Sequence, residues 1–283
     1  MQNGFLFIFG LGYVGQHVGR TLKNEGWHVV GTTRTLFQKQ RLEEQGFDVL
    51  LWDGDFLTPT PILDGVTHLL VTIPPNENGD IILKYIKHIP TSIQWVGYLS
   101  ATSVYGDHQG ALVTEDSQLK PLSSRGQQRF LAEMEWQEMR KAHSLPLHIF
   151  RLSGIYGPGH SVLESIRKGT AKRIDKPGHV FSRIHIDDIV STLKASMGSP
   201  CPGSIYNLAD DQPDSTANVI DWGCKLMGVS SPPLIPFDKA ALSPALQEFY
   251  SESKRVSNHK IKESLGVRLL YPTYQEGLRH CIF

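Results

Sequence analysis

The sequence predicts a doubly wound α/β fold built on a parallel sheet. Short, nearly continuous apolar runs alternate with longer stretches of helical periodicity through the first half of the chain. A glycine-rich segment, Gly10-Leu11-Gly12-Tyr13-Val14-Gly15, sits between the first run and the first helical stretch. A strand that is apolar on both faces belongs in a sheet covered on both sides, and strand–helix alternation is how a chain builds one.

The runs are Phe5–Phe9, Trp27–Gly31, Asp48–Trp52, His68–Ile73, Gln94–Ser100 and Leu147–Arg151, each of strand length. Between them, Val14–Glu25, Phe37–Gln45, Ile81–His88 and Gly126–His143 read as helices. In the last of these, Ala132, Trp136 and Met139 share one helical face. After Arg151 the rhythm loosens, and Gly and Pro thicken at Gly154–Gly159, Pro200–Gly203 and Pro232–Pro236. The predicted organisation is therefore a sheet domain over residues 1–153, completed by about 184–210, with a smaller, less regular part over 154–283.

Composition narrows the function classes. The 283 residues are 40% hydrophobic and 20% charged, which is ordinary for a globular enzyme. Lys+Arg and Asp+Glu both number 28, so no basic footprint for nucleic acid and no polybasic membrane anchor is expected. Cys201, Cys224 and Cys281 have neither metal-ligand nor redox spacing and read as reduced thiols, and no metal site is expected. No segment approaches roughly 18 consecutive apolar residues, and the first apolar run lacks the flanks of a signal peptide. A cytoplasmic protein is the expectation.

Gly10, Gly12 and Gly15 form G-x-G-x-x-G between a strand and a helix, the context in which that pattern binds a dinucleotide. The first glycine permits a tight turn, the second a close backbone approach to the pyrophosphate, and the third close helix–strand packing. The amides of Leu11, Tyr13 and Val14 belong to the same cradle. An NAD site places an acid at the end of the second strand for the ribose 2′-hydroxyl. Here that end reads Val30-Gly31-Thr32-Thr33-Arg34, and no carboxylate occurs from Gly26 to Leu42. Arg34 attracts a 2′-phosphate and Thr33 adds a hydroxyl, so NADP(H) is expected over NAD, where the alternative for Arg34 is a solvated loop charge.

Four further segments resemble the landmarks of the extended short-chain dehydrogenase/reductase family, which includes nucleotide-sugar epimerases and dehydratases. They are Leu99–Gly106 (LSATSVYG), Arg151–Gly159 (RLSGIYGPG), Ile184–Ile189 (IHIDDI) and Tyr206–Leu208 (YNL), in the family's order over nearly the whole chain. The resemblance implies a Rossmann domain that binds NAD(P) and a C-terminal substrate-binding part. It also implies that Asp55 lies near the adenine, where the alternative is a turn residue after the third strand. Pro74 and Ser100 fall where the family's chain passes the cofactor, and for Pro74 a plain strand-ending turn is the alternative.

The chain departs from the family at its chemistry. The family's Tyr exchanges the proton while hydride moves, and a Lys four residues on lowers its pKa. In that frame Arg125 stands for the Tyr, Arg129 for the Lys and Ala101 for the assisting Ser/Thr. Arginine does not shuttle protons near neutral pH. Thr102 and Ser103 are the remaining hydroxyl candidates, with Arg125 and Arg129 as candidates for holding an anion. The alternative for the arginines is an Arg129–Glu133 pair at i+4 with Arg125 solvated. The glycine spacing also differs from the G-x-x-G-x-x-G common in extended members. Phe181 occupies the position where nucleotide-sugar epimerases carry an arginine for the diphosphate, which weakens a nucleotide-sugar reading.

Asp187 and Asp188 read as helix N-cap residues and His185 as a structural histidine. The expectation is an NADP(H)-dependent oxidoreductase or epimerase-like enzyme with a non-standard active site, acting on a small molecule. A non-catalytic NADP(H) sensor is the alternative.

Overall fold

The computed structural model describes residues 4–52, 63–85 and 90–282. Asp55 lies outside the described residues. The chain forms two compact units. The first comprises Met1–Ala101, Gln127–Arg151 and Leu193–Tyr206; the second comprises Thr102–Gly126, Leu152–Thr192 and Asn207–Phe283. Both units are thus assembled from separated stretches.

The first unit holds β1 (Phe5–Phe9), α1 (Tyr13–Asn24), β2 (His28–Thr33), α2 (Leu36–Glu44), β3 (Asp48–Leu51), β4 (His68–Val71), α3 (Ile81–Tyr85) and β5 (Trp95–Ala101). It takes in most of α4 (Ser124–His143) and β7 (Leu147–Leu152), and the first half of β11 (Ile205–Leu208). The sheet has seven strands in the order β11-β7-β5-β4-β1-β2-β3. The pairings β1–β2, β1–β4, β2–β3 and β4–β5 are parallel, with Phe7 opposite Val30 on one side and Leu69 on the other. This is the doubly wound α/β sheet expected from the alternating runs. β4 and β7 are buried along their whole length, which is why those runs are apolar on both faces.

One face of the sheet packs on α4 through a core that includes Phe7, Phe9, Leu69, Val96, Tyr98, Ala132, Trp136 and Ile149. Ala132 and Trp136 are fully buried and Met139 packs beside them, as the helical periodicity predicts. Asp80 ties the α3 end of this core together. Its carboxylate accepts from the Trp136 indole at 2.9 Å and from the Ile82 and Leu83 amides at 2.8 and 3.3 Å.

The second unit is built from short elements: β6 (Leu112–Val113), β8 (Gly154–Tyr156), α5 (Val162–Arg167), β9 (Arg173–Asp175), β10 (Arg183–His185), the larger part of α6 (Ile186–Gly198), α7 (Thr216–Met227), β12 (Leu234–Pro236), α8 (Pro244–Tyr250), β13 (Arg255–Val256), α9 (His259–Leu265) and α10 (Tyr274–His280). Its strands pair as three parallel couples, β8–β10, β9–β12 and β6–β13. A second core gathers Tyr156, Leu163, Val219, Tyr274, Leu278 and Cys281. Serine or threonine hydroxyls start several of its helices: Ser161 and Thr273 form capping boxes at α5 and α10, and Ser215 caps α7. Among the described residues no helix is long and apolar enough to cross a membrane.

Candidate functional site

β1 ends at Phe9, and the chain turns at Gly10 with φ +100°, a conformation that strongly favours glycine. A Cβ there would also lie 2.6 Å from Thr72 Oγ1 and 2.9 Å from Ile73 Cγ1. The turn is fastened to the ends of two neighbouring strands. The Gly10 amide donates to Thr32 Oγ1 at 2.9 Å and the Leu11 amide to the Thr32 carbonyl at 2.8 Å. Thr72 Oγ1 donates to the Gly10 carbonyl at 2.6 Å. The Leu11 side chain is buried against Gly31. Gly15 lets α1 begin close to the turn, because a Cβ there would overlap the Gly10 carbonyl oxygen.

Gly12 differs from these two. Its φ of −75° suits any residue, and no heavy atom lies within 4 Å of where a Cβ would stand. The protein itself makes no demand for glycine there. α1 also starts on Gly12 without a side-chain cap, as α9 does on Asn258, whereas hydroxyls cap α2, α5, α7, α8 and α10. The first turn of a helix carries amides without intrahelical partners and the positive end of the dipole. Tyr13 is half-buried with its ring 4.5 Å from that of His17, and Val14 is buried.

At the end of β2, Thr32 is buried in the turn network and Thr33 is half-buried. Arg34 is exposed and makes no hydrogen bond or ion pair among the described residues. The next residue, Thr35, caps α2 by accepting from the Gln38 amide at 3.3 Å. Pro74 is exposed in the segment that follows β4.

β5 leads to the residues that the sequence aligns with the catalytic positions of the family it resembles. Ser100, only 1% exposed, donates its hydroxyl to Glu133 Oε1 at 2.5 Å. Glu133 in turn is gripped by Arg151, with Nη2 to Oε2 at 2.7 Å and Nε within 3.2 Å of both oxygens. All three side chains are buried, so the Ser100 hydroxyl is committed inside the protein. The expected alternative pairing of Arg129 with Glu133 is not what forms. Arg151, reaching from β7, takes Glu133 with a bidentate geometry that an exposed i+4 pair lacks, and Arg129 instead donates from Nη1 to the Leu99 carbonyl. Sequence reasoning quoted both Glu133 and Arg151 without pairing them. The signal available was an arginine between two buried apolar residues, Phe150 and Leu152, and a carboxylate next to the buried Ala132. Tyr98 is buried next to this group, and burial pushes its phenol pKa far up, only partly opposed by the Arg129 charge.

Thr102 opens a short 3-10 turn, Thr102–Tyr105, and is buried; Ser103 is half-buried. Neither hydroxyl makes a hydrogen bond among the described residues. The start of α4 lies against this turn: a Cβ on Gly126 would stand 2.8 Å from the Ser103 carbonyl. The fold therefore brings the Ser103 backbone and the helical turn that bears Arg125 together. Arg125 is exposed and, among the described residues, is in no ion pair. Tyr105 is fully buried with its hydroxyl donating to Asn207 Oδ1 at 2.7 Å, a structural bond between two family landmarks.

The aspartates after β10 behave differently from the N-cap expectation. α6 begins at Ile186, which puts Asp187 and Asp188 within its first turn. Asp188 is fully buried and accepts from the Leu270 and Tyr271 amides at 2.6 and 3.2 Å, so it anchors a distant segment, and burial raises its pKa to about 6. His185 is the packed histidine expected: fully buried, with Nδ1 facing the Asp187 amide at 3.2 Å and its ring 4.1 Å from Tyr271.

Comparison with known proteins places this fold. A conserved protein of unknown function from Silicibacter pomeroyi DSS is 46% identical, with 99% of this chain and 98% of that one covered and a TM-score of 0.91. The two chains belong to one family. Protein YeeZ of Escherichia coli K12 is 28% identical over 218 residues, 71% of this chain and 76% of that protein. UDP-glucuronic acid 4-epimerase from Bacillus cereus, solved in complex with NAD, shares the fold at 19% identity over 97% of this chain and 94% of its own, with a TM-score of 0.78. No protein-family model matches the chain. The central sheet is thus that of the NAD-dependent epimerases and dehydratases.

Proposed function

We propose that this chain is an NADP(H)-dependent oxidoreductase or epimerase-like enzyme whose active site works without a Tyr–Lys pair. The observation that carries the reading is Gly12. A glycine that its own protein does not require, at an uncapped helix start, leaves space and amides for a pyrophosphate. The NAD in the B. cereus epimerase complex supports the same use of the fold. Gly10 through Gly15 would hold the pyrophosphate, and Thr33 and Arg34 the 2′-phosphate. Asp55, Pro74 and Ser100 would flank the cofactor, Ser100 through its backbone because its hydroxyl is bound to Glu133. The first unit then serves as the dinucleotide domain and the second as the substrate-binding part.

When bound, the cofactor supplies a nicotinamide that gives or takes hydride. The chain's own task is the proton and the substrate's charge. Arg125 and Arg129 stay protonated and serve as fixed cations, not as proton carriers. The hydroxyls of Thr102 and Ser103, uncommitted within the described residues, are the groups left to bond a substrate oxygen or order a water. Tyr98 does not replace the missing phenol, because burial holds its proton too tightly. A small molecule is the substrate class in this reading.

One observation favours the second reading, a cofactor sensor: Arg129 is tied to the Leu99 carbonyl, as a structural side chain would be. Calorimetric titration with NADPH, NADP⁺ and NADH tests both. NADPH binding at least about tenfold tighter than NADH is expected. Hydride transfer in a broad substrate panel supports the enzyme, whereas its absence together with a tenfold preference between NADPH and NADP⁺ supports the sensor. Failure of all three nucleotides to bind removes both.

A further inference from the structure

The second unit contains a cavity of about 360 Å³ whose wall includes a buried arginine in no ion pair among the described residues. Arg183 stands on β10 opposite Gly154 of β8 and is 8% exposed. Gly154 has no room for a side chain, since a Cβ would overlap the Phe181 ring that lies there. That ring in turn sits 5.3 Å from the Arg183 guanidinium carbon. Nη1 of Arg183 donates to the carbonyls of Phe181 and Asp214 at 2.8 and 3.0 Å, and Nη2 only reaches the Thr216 hydroxyl at 3.4 Å. Nε makes no hydrogen bond among the described residues. The guanidinium is fixed in place with donors to spare.

The nearby carboxylates are engaged elsewhere. Asp214 accepts from the Ser215 amide, the Asn218 amide group and the Tyr274 hydroxyl. Glu164, the one carboxylate lining the cavity, is bound to the Ser161 amide and hydroxyl and to Arg167. Asp210, whose pKa burial raises to about 8, accepts from the Gln212 amide at 3.1 Å and forms no ion pair with Arg183 among the described residues. The remaining cation on the wall is Lys168, exposed at its edge. His160 and Ser161 also line it, and the rest of the wall is mainly apolar or aromatic, including Val162, Val219, Phe181, Tyr274 and Leu278. A buried cation in no direct ion pair is costly, and an anionic ligand on its free edge offsets that cost.

We propose that this cavity binds a carboxylate attached to an apolar or aromatic body, with the carboxylate on the free edge of Arg183 and the body against Phe181 and Leu278. A guanidinium edge matches one planar carboxylate. A phosphate or diphosphate dianion calls for a second fixed cation, and Lys168 is exposed and mobile on its stem. The proposal rests on the oxidoreductase reading only in calling this ligand the substrate.

The test is ligand-observed NMR on the whole protein without added nucleotide. The probes are 3-phenylpropionate, cinnamate and hexanoate, the neutral 3-phenylpropanamide, phenyl phosphate and UDP. At least one carboxylate is expected to bind below about 5 mM, with the amide, phenyl phosphate and UDP each weaker by about tenfold or more. Lys168→Glu, at an exposed position, should weaken the carboxylate several-fold, and Arg183→Gln should abolish binding. If Arg183→Gln does not fold, Lys168→Glu and the amide control decide alone. Equal binding of carboxylate and amide, tighter binding of phenyl phosphate or UDP, or no carboxylate binding overturns the proposal. Carboxylate failure with NADPH still binding sinks this inference alone; carboxylate binding with no dinucleotide binding leaves the cavity assigned and removes the oxidoreductase reading.

Discussion

Replacing Arg34 by alanine separates cofactor choice from everything else the fold does. Arg34 is exposed and touches no described partner, so the folded state loses nothing, and the change in stability should stay within about 0.5 kcal/mol. A guanidinium on a phosphate is a charge-assisted hydrogen bond, about 1.5–3 kcal/mol when removed, with the lower end apt for an exposed site. NADPH affinity should therefore fall about tenfold or slightly more, while NADH affinity stays within about twofold. Raising the salt should shrink the difference between wild type and variant, because an exposed pair is screened. Calorimetry with both nucleotides, paired with thermal unfolding, reads each of these quantities. Equal losses for NADPH and NADH, or no loss for either, would refute the assignment of Arg34 to the 2′-phosphate. A large drop in Tm would refute the claim that its side chain is free.

Three further substitutions test other parts of the reasoning. Gly12→Ala meets no protein atom and should fold normally yet lose dinucleotide affinity, whereas Gly15→Ala, which overlaps the Gly10 carbonyl, should lower Tm; equal behaviour of the two variants in unfolding and titration would contradict the account of the turn. Glu133→Ala leaves Arg151 buried without its counter-ion and should cost about 3–5 kcal/mol in urea unfolding; a loss under about 1 kcal/mol would show the network to be incidental. Asp210 has a folded pKa raised to about 8 by burial, so the folded state holds its proton more tightly than the unfolded chain does. Its contribution is fully present below about pH 4 and is lost as pH rises through about 8, so Asp210→Asn should raise Tm at pH 9 and change it little at pH 5. A variant with the same pH profile as wild type would remove Asp210 from the titration.

The sheet was legible because burial on both faces leaves a strong mark. β4 and β7 are buried throughout and mostly apolar, and the turn after β1 needs Gly10 because the end of a neighbouring strand crowds it and Gly15 because the Gly10 carbonyl does. The seventh strand was harder to separate. β11 is four residues long and includes the polar Asn207, and it joins the sheet from 53 positions after the end of β7 (205 − 152). Spacing picks out Arg125 and Arg129 as candidates, since they fall in a fixed frame. Their partners could not be read from it, because Glu133 is won by Arg151 through a helix–strand contact that local spacing does not encode. Asp188 shows the same limit: its two amide donors lie more than eighty residues away, at Leu270 and Tyr271.

The interleaved chain path has a consequence for synthesis. The last stretch of the first unit, Leu193–Tyr206, supplies the edge strand that lies beside β7, where the Ile149 amide donates to the Ser204 carbonyl at 3.0 Å. A nascent chain that has emerged only to residue 153 therefore exposes an unpaired strand edge, and it keeps that edge while much of the second unit is still being made. The emergence of residues 193–206, not the translation of the first half, sets when this sheet can close. A stop codon near residue 153 should accordingly give a sticky, protease-sensitive fragment in place of an autonomous nucleotide-binding domain.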